Sequence, residues 1–247
     1  MIEVHGLSKT YKGKKRTQVE ALRDVSFTCQ PGQVFGLLGP NGAGKTTCLR
    51  ILSTALRPTR GTAVVGGRDI VEDPRGVREN IGFLSSNTGL YGRLTAREVL
   101  GYFGRLFDMK QDRIDARISE LAKTFSMEDF LDRPCDKLST GMRQKVNIAR
   151  TVIHSPPVMV FDEPTSGLDV LTSRTIVQFI GQCREEGKTV LFSTHIMAEV
   201  ERLCAHVAII HQGRLFFSDS VAELRSRHGD NLDDAFIEVI KPAMEEV

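Results

Sequence analysis

Gly39-Pro40-Asn41-Gly42-Ala43-Gly44-Lys45-Thr46 satisfies the pattern G-x-x-x-x-G-K-[ST] in full, and its residue types suit the binding of a polyphosphate. Glycines let backbone N–H groups converge on phosphate oxygens without Cβ clashes. A helix beginning near Lys45 and running on through Thr47 turns the positive end of its dipole toward the anion. Lys45 adds a full charge at the β- and γ-phosphates, and the Thr46 hydroxyl can ligate Mg²⁺. Much later comes Val158-Met159-Val160-Phe161-Asp162-Glu163, an apolar run ending in two acids. A buried strand of this kind delivers adjacent carboxylates to the C-terminal edge of a sheet, where ligands bind in open α/β folds. There Asp162 would hold Mg²⁺, directly or through water, and Glu163 would polarise an attacking water as a general base.

A second glycine-bearing stretch, LSTGMRQK, spans Leu138 to Lys145. Ser139 can cap a helix running from Thr140 to Arg150, so the loop offers N–H donors and a helix dipole of its own.

These residues need elements to hold them. Ile2 to Leu7 alternates like an edge strand, Ala21 to Cys29 reads as another strand, and Pro31-Gly32 as a turn. Val34 to Leu38 is a short strand feeding the phosphate loop, and the spacing predicts a helix from Lys45 to Leu56, stopped by Pro58. Thr62 to Val65 and Ile81 to Leu84 are further strands. From Thr95 to Ile153 segments such as REVLGYFGRLF and RIDARISELAKTF carry helical periodicity with charged faces, which predicts a mostly helical insertion. Strands return at Val158 to Phe161, Thr189 to Ser193 and Val207 to His211. Strands alternating with helices place the chain in the α/β class, with a parallel sheet covered on its faces.

The 247 residues permit one large domain or two small ones, and 40% hydrophobic with 26% charged residues is normal for a soluble globular chain. A net charge of +2 gives no global sign of nucleic acid as a partner, and the basic run Lys12-Gly13-Lys14-Lys15-Arg16 reads as a solvated loop. The five cysteines, Cys29, Cys48, Cys135, Cys183 and Cys204, are scattered and odd in number. That argues against a disulfide framework or zinc site and for a reducing compartment. MIEVHGLSKTYKG lacks the apolar core of a secretory signal, and no apolar run approaches a membrane span. If this protein acts at a membrane, another chain is expected to do the spanning.

Phosphate loop, LSTGM, VMVFDEPTSGLD and FSTH, in that order, resemble the ATP-binding cassette (ABC) ATPases over nearly the whole chain. GLLGPNGAGKTT, STGMRQK and NLDDAFIEVI are most similar to the ATPase subunits of bacterial sodium and drug exporters. The resemblance implies a P-loop NTPase core with a mixed sheet covered by helices, and an inserted helical subdomain. It divides the chain into a core lobe (1–86 and 155–220), a helical lobe (87–154) and a helical tail (221–247). It implies ATP and Mg²⁺ as cofactors and hydrolysis of ATP to ADP and phosphate.

The same resemblance implies two subunits joined head to tail, each ATP lying between one copy's phosphate loop and the other's Ser139 and Gly141. An anion site without an anion of its own suits a partner's γ-phosphate. By this likeness Ser139, Thr140, Gly141 and Asp169 belong to the dimer interface. Tyr11 matches the aromatic that stacks on adenine, and His195 the histidine that contacts the γ-phosphate and the catalytic water. LSTGM departs from the commoner LSGGQ at Thr140 and Met142. A larger departure is Ser85-Ser86-Asn87, where Ser86 takes the place of a glutamine that ligates Mg²⁺. Ser is too short to reach as far: water fills the gap, Asn87 substitutes, or Thr46 and Asp162 alone hold the metal, and the expectation adopted is that Ser86 lines the site through water.

The implied partners are a second ATPase subunit and an integral membrane permease, with the chain cytoplasmic and peripheral on the inner face of the cell membrane. Ser86 to Arg97, with Tyr91 and Leu94, is the expected docking surface. Two other classes stay open: a soluble relative acting on DNA or ribosomes, and a regulatory or assembly switch.

Overall fold

The protein, seen in a computed structural model, is described over residues 1–12, 18–85 and 89–245. Most of the basic run after Lys12, and Ser86 with it, lie outside the described residues.

The strands form two sheets. The larger has six strands in the order β10-β9-β3-β8-β7-β6, with β3 (Val34–Leu38), β6 (Ile81–Leu84), β7 (Val158–Asp162), β8 (Thr189–Thr194) and β9 (His206–His211) mutually parallel. Every residue of β3, β7 and β8 is buried, as a sheet covered on both faces requires. β10 (Arg214–Ser220) closes one edge antiparallel to β9, making the sheet mixed. The smaller sheet is antiparallel, in the order β2-β1-β4-β5, from β1 (Ile2–Lys12), β2 (Gln18–Cys29), β4 (Arg60–Val65) and β5 (Arg68–Asp69).

Two expectations need correction, and one strand is additional to them. β1 is an inner strand, paired with both β2 and β4, and it runs past Leu7 to Lys12. Irregular pairing after Val4, where Gly6 has φ +57, masks its length in the sequence. The first helix, α1 (Lys45–Leu52), stops short of Leu56 and well before Pro58. Thr54 takes a left-handed φ of 61 and its N–H turns back to the Ile51 carbonyl, so the chain leaves the helix on local geometry. β10 was not anticipated: Gln212 and Gly213, with φ 46 and 76, make a two-residue hairpin that reverses the chain after β9.

The helical insertion lies between β6 and β7, after the small α2 (Pro74–Asn80). α3 (Ala96–Leu106) starts with a capping box in which Thr95 and Glu98 satisfy each other's backbone N–H. α4 (Gln111–Phe125) and α5 (Thr140–Thr151) complete the lobe, and their apolar faces join one cluster with Phe161 and Phe192 of the sheet. A second cluster, including Ile2, Leu7 and Leu22, packs the small sheet onto Leu37, Leu49 and Ile51. α6 (Val170–Glu185) and α7 (Met197–Leu203) flank β8, while the tail helices α8 (Val221–His228) and α9 (Leu232–Glu245) cover β9 and β10 through Leu224, Leu232 and Val239.

Burial pushes the thiols of Cys29, Cys48 and Cys183 up to about 12. A raised value leaves them protonated near neutrality, and thiolate is the reactive form. Ellman's reagent at pH 8 should leave these three unmodified in the folded protein and titrate them fully in denaturant. Rapid labelling of all three without unfolding would contradict this packing.

Candidate active site

β3 ends at Leu38, the loop runs from Gly39 to Gly44, and α1 begins at Lys45. Gly44 has φ 111, and a Cβ there would lie 2.5 Å from the Ala21 carbonyl oxygen. Only glycine fits this close approach. Lys45, 6% exposed, bends back so that its Nζ donates to the Gly39 carbonyl at 2.6 Å and the Pro40 carbonyl at 3.3 Å. The loop thus curls around a desolvated ammonium.

β7 and β8 deliver the acids and the histidine. Asp162, 1% exposed, ends β7 and stands in register with Ser193 of β8. Its carboxylate accepts from the Thr46 hydroxyl, with contacts of 2.9 Å to Oδ2 and 3.2 Å to Oδ1. Ser193 Oγ donates to Oδ1 at 2.8 Å. Glu163 follows with φ 51, a conformation costing on the order of 1–3 kcal/mol for a non-glycine residue. Its Oε1 lies 3.3 Å from Lys45 Nζ, and its Oε2 2.7 Å from His195 Nδ1. His195 sits directly after β8. The turn carrying it is pinned by Thr194, whose Oγ1 donates to the buried Glu199 carboxylate at 2.9 Å and accepts from the Ile196 N–H at 3.1 Å.

A cavity of about 580 Å³ opens over these groups. Pro40, Asn41, Gly42, Ala43, Gly44, Lys45, Thr46 and Thr47 line it, together with Glu163 and His195. Sequence reasoning missed Ala21, Gln144, Ser166 and Leu168, which also line it. It also missed Ser193, although that residue lies inside the FSTH motif. Gln144 is held there by donating to the Pro164 carbonyl at 2.7 Å. A serine two residues before a histidine carries no signal of its own, and the other four reach the cavity only through folding.

The oxygen donors fit Mg²⁺. Thr46 and Asp162 offer a hydroxyl and a carboxylate within hydrogen-bond distance of each other at the phosphate loop. Among the described residues no group of three or more His, Cys, Asp or Glu side chains could hold a metal. A hard cation that keeps several waters and takes phosphate oxygens suits such a sparse donor set.

The second loop stands apart from most of this. Ser139 Oγ accepts from the Met142 N–H at 3.3 Å and caps α5 as its sequence predicts. Thr140 reaches the cavity wall, but Ser139 and Gly141 do not line it. Asp169 caps α6, accepting from the Thr172 N–H at 2.9 Å and its hydroxyl at 2.8 Å. Those bonds hold its carboxyl below the usual carboxylate range. A Cβ on Gly141 would lie 2.9 Å from Thr172 Oγ1 and 3.4 Å from Asp169 Oδ2. The two helix N-termini therefore lie side by side, with Val170 82% and Leu171 77% exposed next to them. Tyr11 lies near the far end of β1, off the cavity wall, with Lys9 Nζ 5.4 Å from its ring centre.

The expected docking segment divides. Tyr91 is 58% exposed and meets Tyr102 edge to face at 6.2 Å. Leu94 is instead half-buried against the helical-lobe core. The exposed apolar face continues on α3 through Tyr102 and Leu106. Beneath it, the buried Arg150 at the end of α5 donates to the Gly89 carbonyl at 3.1 Å and lies 5.2 Å from the Phe103 ring centre.

Residues 22–166 match the family model described as ABC transporter. The ABC transporter ATP-binding protein NatA of Bacillus subtilis (strain 168) is 45% identical, over 96% of this chain and 97% of its own. The doxorubicin resistance ATP-binding protein DrrA of Mycobacterium tuberculosis (strain CDC 1551 / Oshkosh) is 36% identical, over 93% of this chain and 68% of its own. Among solved structures, an ATP-binding subunit of an ABC transporter is similar with a TM-score of 0.87 at 29% identity, covering 97% of this chain and 99% of that one. A dimeric ATP-binding cassette in a post-hydrolysis state, bound to ADP and Pi, is similar with a TM-score of 0.82 at 27% identity, covering 90% of this chain and 99% of that one.

Proposed function

This chain belongs to the ABC transporter ATP-binding family, and from that premise we propose that two copies of it join head to tail beneath a separate membrane permease and drive export. It is a transport-energising ATPase subunit, and such cassettes work as dimers. The homodimer, the permease and the outward direction are our reading. Support for direction comes from the motif likeness to sodium and drug exporters and from the drug-resistance name of DrrA. Among the described residues no helix is long and apolar enough to cross a membrane. In this reading the chain lies on the inner face, with Tyr91, Tyr102 and Leu106 against the permease.

The observation that carries the hydrolytic reading is the Glu163 carboxylate, placed between Lys45 and His195 on the wall of the phosphate-loop cavity. In the proposed mechanism the Gly39–Thr47 backbone and Lys45 bind the triphosphate. Thr46 and Asp162 hold Mg²⁺, which when bound neutralises charge on the phosphate oxygens. Glu163 takes the proton of the attacking water, and His195 orients Glu163 and faces the γ-phosphate. Ser139 and Gly141 meet the partner's γ-phosphate. Their bonds are charge-assisted, at about 1.5–3 kcal/mol each, enough for nucleotide to join two subunits and for hydrolysis to part them.

Expressed with a candidate multi-span membrane permease, the chain should co-purify with it from detergent. Tyr91→Ala combined with Leu106→Ala should abolish co-purification while leaving ATP binding unchanged. An unaltered complex in that double variant would remove the docking face from this reading.

A further inference from the structure

Ser193, the penultimate residue of β8, is fully buried and in register with Asp162. Its hydroxyl donates to Asp162 Oδ1 at 2.8 Å and accepts from the Glu163 N–H at 3.0 Å. The Ser193 carbonyl accepts from the same N–H at 3.2 Å. That N–H belongs to the residue at φ 51, a left-handed conformation that a glutamate keeps only when its surroundings impose it. One side chain on a neighbouring strand thus engages both adjacent acids, the first through its carboxylate and the second through its backbone.

We propose that Ser193 is a positioning residue for hydrolysis: its hydroxyl holds Glu163 in the left-handed turn that aims the carboxylate at His195 and Lys45, and fixes the rotation of Asp162 with the same group. The inference rests on Glu163 being the general base. A serine inside a strand gains little from propensity or packing, since it has a small side chain and a polar atom to satisfy. Here the polar atom is satisfied by the two acids, donating to Asp162 and accepting from the Glu163 N–H. Without it, the Glu163 N–H keeps only a longer bond to the strand, and the turn can relax toward ordinary φ. The carboxylate then swings away from His195, and small misplacements of a reacting group cost rate far more than they cost affinity.

Ser193→Ala removes one oxygen and little volume. Turnover at saturating ATP should fall about tenfold or more, while KM for ATP and calorimetric affinity for ADP stay within about threefold. In a Glu163→Gln background the same substitution should lower the residual rate by clearly less than in the native background, because one of the two acids it positions has lost its function. Native-like turnover in Ser193→Ala, or a full-sized loss in both backgrounds, would overturn the proposal. Ser193→Cys, nearly equal in volume, should fold and show intermediate turnover. If circular dichroism showed neither variant folded, the hydroxyl would be a core requirement and the proposal would fall. Glu163→Gln with native turnover would instead overturn the general-base assignment itself.

Discussion

Glu163→Gln should bind ATP as the native chain does and turn it over roughly 10²–10⁴ times more slowly. The amide has nearly the carboxylate's shape and keeps an oxygen to face His195, whose Nδ1 lies 2.7 Å from Oε2. What it loses is the ability to take a proton from water. The backbone loop and Lys45, which bind phosphate, are untouched. Single-turnover measurements should therefore show normal occupancy with slow product formation. With hydrolysis blocked, ATP should also hold two chains together, so light scattering should report a dimer with ATP and a monomer with ADP. A variant that remained monomeric at saturating ATP would count against Ser139 and Gly141 serving a partner's nucleotide.

Lys45→Ala should act one step earlier. The ammonium is buried and held in place by the Gly39 and Pro40 carbonyls, on the wall of the phosphate-loop cavity. Losing charge-assisted bonds to two phosphates amounts to about 3 kcal/mol, or roughly 10²-fold in affinity. The substitution also leaves the Glu163 carboxylate without the cation 3.3 Å away, adding negative charge where a triphosphate must enter. Titration with a fluorescent ATP analogue should show the loss, smaller for ADP, which lacks the γ-phosphate. Equal affinity in native and variant chains would move Lys45 out of the binding role.

Tyr91 and Leu94 look alike in sequence, two apolar residues in a polar stretch, yet the first is exposed and the second packs on the helical lobe. Exposure of a loop residue depends on where α3 and the following core lie, which no local pattern records. Likewise Gln212-Gly213 is a weak hairpin signal until β9 is present to pair with β10, and the pairing of β1 on both edges depends on β4, far along the chain. The end of α1 at Leu52 was hidden because Pro58 is a stronger written stop than Thr54.

The contiguous parts of this protein were written in the chain itself. A phosphate loop needs its glycines, lysine and threonine at fixed spacing because one turn of backbone must surround one anion. The two acids must follow an apolar run because the strand carrying them is buried. Those constraints act between neighbours, so residue order alone expresses them. Which distant groups meet was decided by folding. The parallel register of β7 with β8 places Ser193 against Asp162 and Glu163, and the packing of α5 beside α6 sets Gly141 against Thr172 and Asp169. Both are contacts between residues remote in sequence, made by strand pairing and side-chain volume, and no spacing along the chain encodes them.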